Sequence, residues 1–148
     1  MKAGAAGPPL WARRLGYGGL IPFVSLAAAL WVALPGDWPL ARMALLGYGA
    51  TISSFLGGIH WGLVMREGLV QPMPSLLWGV VPSLLGWVAL LLGHAPGLLL
   101  VAALLWLCFA VDRVLYSRYR LQAWLPMRMW LTLVASLSCL AGAAALLQ

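Results

Sequence analysis

The chain has 148 residues, of which 64% are hydrophobic and 8% charged, with a net charge of +6. A water-facing domain of this size carries about 25% charged residues to wet its surface, so the composition excludes an ordinary soluble domain and fits a chain that faces lipid. The basic surplus does not point to nucleic acid, because the Lys and Arg residues fall in short segments between apolar runs, where the positive-inside rule puts them.

Residues 1–14 form a small basic N-terminal segment with Lys2, Arg13 and Arg14. The first apolar run, residues 15–34, is long enough to cross a hydrocarbon layer of about 30 Å as a helix at 1.5 Å per residue. Its Ala27-Ala28-Ala29 stretch resembles a signal-peptidase site, but the run exceeds a signal peptide's apolar region of about 7–15 residues, which favours a retained span. A turn is expected at Pro35-Gly36-Asp37-Trp38-Pro39, and the second run covers residues 43–65. Arg66-Glu67-Gly68 and Gln71-Pro72-Met73-Pro74 make the next connection. The third run, 75–92, starts after Pro74, a residue suited to a first helical turn whose N–H has no partner.

Gly93-His94-Ala95-Pro96 is a tight loop ahead of the fourth run. From Gly97 the apolar stretch reaches only Val111 before Asp112, short of the roughly 20 residues a span needs. The fourth helix is therefore expected over 97–116, which draws Asp112 inside the membrane boundary. The fifth run, 127–147, follows Pro126. With the N-terminus inside, the inner segments hold Lys2, Arg13, Arg14, Arg66, Arg113, Arg118, Arg120 and Arg128, and the outer ones only Arg42. This asymmetry predicts an all-α bundle of five transmembrane helices, 15–148, with the N-terminus cytoplasmic and the C-terminus outside. Trp11, Trp38, Trp61 and Trp124 lie near run ends, as an interfacial belt would place them.

Gly19-Leu20-Ile21-Pro22 in the first run is echoed by Gly79-Val80-Val81-Pro82 in the third, and Pro22 and Pro82 are the expected kink sites. Each removes one helical hydrogen bond and frees a carbonyl a turn earlier, at Gly18 and Trp78. The echo is compatible with duplicated hairpins and equally with the general abundance of Gly and Pro in membrane helices.

The second run carries the chemistry-bearing pattern. Gly49, Ser53 and Gly57 recur every four residues, and so do Ala50, Ser54, Gly58 and Gly62. Two adjacent small stripes predict a packing face that lets neighbouring helices approach closely. His60 continues the first stripe and is expected to face the bundle interior, either as a buried His bonded to a neighbour or as a proton- or ligand-handling group. His60 precedes Arg66 by the same interval as Asp112 precedes Arg118, so the two side chains should lie at one depth. Arg128 opens the last helix on the same side and is the natural countercharge, its alternative being an anchor that snorkels to the surface. His60, Ser53, Asp112 and Arg128 are thus the expected lining of a polar pocket in the cytoplasmic half.

The two cysteines, Cys108 and Cys139, sit within apolar runs and read as buried thiols, not as a disulfide or metal pair. A membrane haem needs more His than His60 and His94 offer, and His60 with Asp112 is too small a set for a metal. No catalytic set is complete, and no cofactor is expected. A Ser53–His60 nucleophile is remote, because the two lie about 10 Å apart along the axis.

Over Gly19-Leu20-Ile21-Pro22-Phe23 and Ser54-Phe55-Leu56-Gly57-Gly58-Ile59-His60-Trp61-Gly62 the chain resembles the bacterial and mitochondrial membrane proteins grouped as domain of unknown function 3429, the transmembrane protein 69-like proteins. Asp112 and the stretch Pro126, Arg128, Leu131-Thr132 also match that pattern. Met127-Arg128 stands where the family pattern has an aromatic pair, a departure at the start of the last helix. The resemblance implies a multi-pass protein, in bacteria of the inner membrane, and brings no activity or substrate. The leading expectation is a pocket that binds or passes a small molecule, a lipid headgroup or a proton. The rival is an assembly factor or accessory subunit whose small stripes meet a membrane-protein partner or a second copy. A membrane enzyme is the third and least supported class.

Overall fold

Two short helices stand where the first run predicts one. In the computed structural model, whose described residues are 7–32, 34, 36, 38–67 and 73–148, α1 spans Leu10–Gly18 and α2 spans Ile21–Val32. Lys2 and the rest of the first six residues, Pro35 and Asp37 of the expected turn, and Gly68, Gln71 and Pro72 of the next connection lie outside the described residues. The break at Gly19–Leu20 has a local cause. Pro22 has no N–H to return to the Gly18 carbonyl, and Leu20 N closes a tight turn by donating to Tyr17 O at 3.0 Å. The Tyr48 hydroxyl then donates to Gly19 O at 2.9 Å, giving the exposed backbone a partner that a lipid environment would not.

The remaining helices are long. α3 is Trp38–Glu67, α4 is Met73–Leu92, α5 is His94–Arg118 and α6 is Leu125–Ala145, the last entered through a 3-10 turn at Gln122–Trp124. Pro126 occupies the first turn of α6, where no helical N–H is lost. The α4–α5 corner is made by Gly93 at φ 59° and His94 at φ 41°. Glycine tolerates that left-handed backbone freely, and the corner turns the chain back on itself within two residues. α5 has 25 residues, and Asp112 lies well inside it.

Consecutive helices pack side by side from α2 to α6, α6 closes the ring on α2, and α3 also meets α5 across it. The directions follow from facing pairs. Gly57 meets Gly79 and Ala50 meets Gly86, so α3 and α4 are antiparallel. Arg42 meets His94 and His60 meets Asp112, both pairs separated by 52 residues, so α3 and α5 run parallel in fixed register. Close approach depends on glycine at the α3–α4 crossing. A Cβ on Gly57 would collide with the Gly79 carbonyl and lie 3.3 Å from Pro82 Cδ. Pro82 is buried within a continuous α4, so the echoed Gly–Pro motif breaks the first helix and not the third.

Among the described residues the protein is all-helical. The stretches Leu10–Val32, Met73–Leu92, His94–Arg118 and Gln122–Ala145 are each long and apolar enough to cross a membrane. α3 has 30 residues, ample length at 1.5 Å each. Its Gly, Ser, Thr and His residues dilute its apolar character below that of the other four. Such a helix suits a position shielded by neighbours, and α3 packs on α2, α4 and α5.

Candidate functional site

The side chains expected at one depth do meet. His60 from α3 places Nε2 3.1 Å from Asp112 Oδ1 on α5. Arg128 from α6 donates to the other carboxylate oxygen, Oδ2, through Nε at 2.9 Å and Nη2 at 2.5 Å. All three residues are buried, at 1%, 2% and 7% exposure. His60 Nδ1 has no hydrogen-bond partner among the described residues.

Each residue reaches this point by its helical register. His60 continues the buried sequence Ser53, Leu56, Gly57 along the inner face of α3. Asp112 falls on the buried stripe Leu105, Cys108, Phe109 of α5. Arg128 lies one turn before Thr132 and two before Ala135–Ser136, all on the buried face of α6. A lone carboxylate or guanidinium at such depth is costly, and pairing with hydrogen bonds on both oxygens removes most of that penalty. The link therefore ties α3, α5 and α6 together at one point.

Beside this centre lies a partly open cavity of about 560 Å³ lined by residues of α1, α2, α3, α5 and α6. Its wall is largely apolar, with Phe23, Ile52, Leu56 and Leu105 among the lining residues, and the polar members are Arg66, Tyr116, Arg128 and Thr132. No Asp or Glu lines it among the described residues. Thr132 is 2% exposed and its Oγ1, like His60 Nδ1, lacks a hydrogen-bond partner among the described residues. An unpaired buried hydroxyl costs about 1–3 kcal/mol, so these two atoms mark where the interior has unused polar capacity.

Of the four residues expected to line one polar pocket, only Arg128 is part of the cavity wall. His60 and Asp112 stand behind Arg128, and Ser53 is apart from both, its hydroxyl donating to Gly49 O at 2.9 Å. That back-bond to the preceding turn is the usual resting place for a serine within a helix. The two small stripes also part company. Gly49 closes on Val101 and Gly57 on Gly79, and Ser54 shares a hydrogen bond of 2.7 Å with Ser83 on α4. Gly58 and Gly62 are exposed, and a Cβ added at either would meet nothing within 4 Å. Each four-residue step turns the stripe by about 40° around a helix of 3.6 residues per turn, so the stripe that begins buried at Ala50 has left the interior by Gly58.

Tyr116, Thr132 and Arg66 were not read as cavity residues. Thr132 had one available signal, its position one turn after Arg128 on the same face. Cys108 and Cys139 are buried and unpaired with each other. At the opposite end of the bundle Arg42 Nη1 donates to His94 Nδ1 at 2.8 Å, joining the starts of α3 and α5.

The fold and this geometry define an all-helical membrane protein with a buried ionic link among three helices and a cavity beside it. The chain belongs to the family described as "Protein of unknown function (DUF3429)", whose model matches residues 8–144. It is 45% identical over 80 residues to transmembrane protein 69 of Xenopus tropicalis, covering 52% of this chain and 31% of that one. It is 30% identical over 123 residues to transmembrane protein 69 of Mus musculus, covering 81% of this chain and 50% of that one. The chain thus spans a third to a half of the length of these relatives. No solved structure matches it.

Proposed function

We propose that this protein binds a small molecule or lipid in the cavity at its arginine-rich end, as a five-span protein of the plasma (inner) membrane with its N-terminus inside. α3 is the fifth span in this reading. Its parallel register with α5, a helix apolar enough to cross alone, supports that assignment. The distribution of Arg and Lys supports the orientation.

One observation carries the binding reading: a cavity of about 560 Å³ whose wall includes the buried Arg128 of the ionic link. That size lies within the range of about 300–1,000 Å³ usual for ligand pockets, and an apolar wall with a few convergent polar groups is their usual chemistry. Passage of protons has less support. Between His60 and the Arg42–His94 pair the bundle interior is filled by side chains such as Leu45, Leu98 and Val101, with no titratable chain of groups among the described residues.

The test is native mass spectrometry of the full chain in mild detergent, with reporter fusions at both termini for topology. A released non-protein mass that diminishes in Arg128→Lys and persists in Ser53→Ala is the expected outcome. A stoichiometric protein partner and no small molecule would overturn the reading in favour of an assembly role.

A further inference from the structure

The rim of the cavity shows where it opens. Its exposed lining residues are Leu15 on α1 and Phe55 and Arg66 on α3, whereas those from Leu105 to Ala135 are buried or half-buried. The mouth therefore lies between α1 and α3. Packing accounts for the gap. No residue of α1 is buried, and the helix leans away from α3 onto α6, where a Cβ on Gly16 would lie 2.5 Å from Met127 Cε.

Phe55 sets the depth of that mouth. It is 66% exposed, and its distance from Arg66 along α3 is about 16 Å at 1.5 Å per residue. With α3 as a span, the opening reaches roughly the middle of a hydrocarbon layer about 30 Å thick. The mouth then faces lipid tails, and the floor behind it, with Phe23 and Leu105 each 1% exposed, is apolar.

The wall offers a ligand no unbalanced charge. Arg128 spends Nε and Nη2 on Asp112, which balances its guanidinium. Arg66 sits exposed at one end of the α3 lining and has an interaction of its own. Thr132 Oγ1 is itself buried. No Asp or Glu lines the wall among the described residues. An ionised group drawn in from either side would lose its hydration without gaining a countercharge, and such a transfer is costly.

Resting on the binding reading above, we propose that the ligand is an uncharged, lipid-soluble molecule that enters from within the bilayer between α1 and α3. The ionic link then has a defined part in selectivity. By balancing Arg128, Asp112 keeps the wall neutral toward what enters.

The full chain in nanodiscs is photolabelled with stearyl alcohol carrying a mid-chain diazirine, an uncharged probe that stays in the bilayer, and the labelled residues are mapped by mass spectrometry. Labelling of Phe23 and Leu105 should saturate, while that of an outward residue such as Leu91, 67% exposed, should rise linearly. Competition is read at about pH 9, where oleate is ionised and oleylamine still largely cationic. Oleyl alcohol should compete for the saturable part, and oleate and oleylamine about tenfold more weakly. Asp112→Asn keeps the side-chain shape and leaves the Arg128 charge unbalanced, so oleate should gain about tenfold relative to oleyl alcohol. Should that variant not fold, the wild-type comparison decides alone. Equal competition by oleate or oleylamine, or no gain for oleate in a folded Asp112→Asn, would overturn the neutral ligand. Saturable floor labelling by a water-soluble hexanol diazirine and none by the stearyl probe would overturn entry from the bilayer. Linear labelling of the floor, in a protein that releases a different small molecule in the mass spectrometer, would overturn this inference and leave the binding reading standing. Linear labelling with no released mass would mean that bulk lipid tails fill the cavity, and would overturn both.

Discussion

The two ends of the bundle are built on the same five packed helices and spend their interiors differently. At the Arg42–His94 end, Gly142 sits where Leu30, Leu45 and Leu98 converge, and a Cβ there would lie 2.7 Å from Leu45 Cδ2. Those leucines are 1% exposed or less, and the glycine lets them interdigitate. At the other end, three helices are joined by one carboxylate, and a cavity remains beside the joint. In lipid the hydrophobic effect does not draw helices together, so packing and polar links must do it. The comparison shows both devices in one molecule. Close packing leaves no room for a ligand, and a polar link holds the helices while leaving room.

Removal of the polar link should therefore be the most damaging change. Asp112→Ala leaves the buried Arg128 guanidinium without its carboxylate. Breaking a buried pair on one side costs about 3–5 kcal/mol, whereas replacing both partners by apolar residues of similar volume costs little. Unfolding of the purified protein in detergent should show a large loss for Asp112→Ala and a small one for the double variant Asp112→Leu with Arg128→Met. Equal losses would mean that the link is not what joins this end.

The packed end should respond in kind but less. Leu98→Ala opens space at a site with 0% exposure, and the expected cost is about 2–3 kcal/mol, the low end for such truncations, because the unfolded helices stay in lipid and the transfer term is small. The same unfolding assay reads it. A cost below that of a cavity-lining truncation such as Leu56→Ala would erase the contrast between the ends. Gly57→Ala comes next, at about 1–3 kcal/mol, because the added methyl would collide with the backbone carbonyl of Gly79, which has no rotamer to escape into.

Much of this was legible in the sequence, and the part that was not has a physical reason. Equal distances to Arg66 and Arg118 placed His60 and Asp112 at one depth, because parallel helices in a membrane share a depth scale, and left open whether the two side chains touch. Arg128 as countercharge followed from its place at the same side. The break at Gly19–Leu20 was hidden because Pro22 alone reads as a kink. The Tyr48 hydroxyl on another helix gives the opened backbone a partner at Gly19 O, a tertiary contact that no local pattern announces. The cavity was misassigned to His60, Ser53 and Asp112 for a similar reason. A helical wheel tells which residues face inward, but not which inward residues are covered by a neighbour. Asp112 is covered by Arg128, and Ser53 satisfies itself on its own helix.

The smallest effect is the sharpest probe of that last distinction. Gly57 and Gly58 are neighbours in two stripes that look equivalent on paper. Gly58→Ala should change stability by no more than about 0.5 kcal/mol, the range of surface substitutions away from special features, because nothing in the chain lies within 4 Å of the added methyl. Unfolding alone does not exhaust the comparison. Gly58 and Gly62 look outward from α3, so Gly58→Leu should also leave the size of the detergent-solubilised particle unchanged if lipid covers that face. A shift to a smaller particle in size-exclusion chromatography with light scattering, at unchanged stability of the chain itself, would show that the second stripe packs after all, against another protein and not against its own bundle.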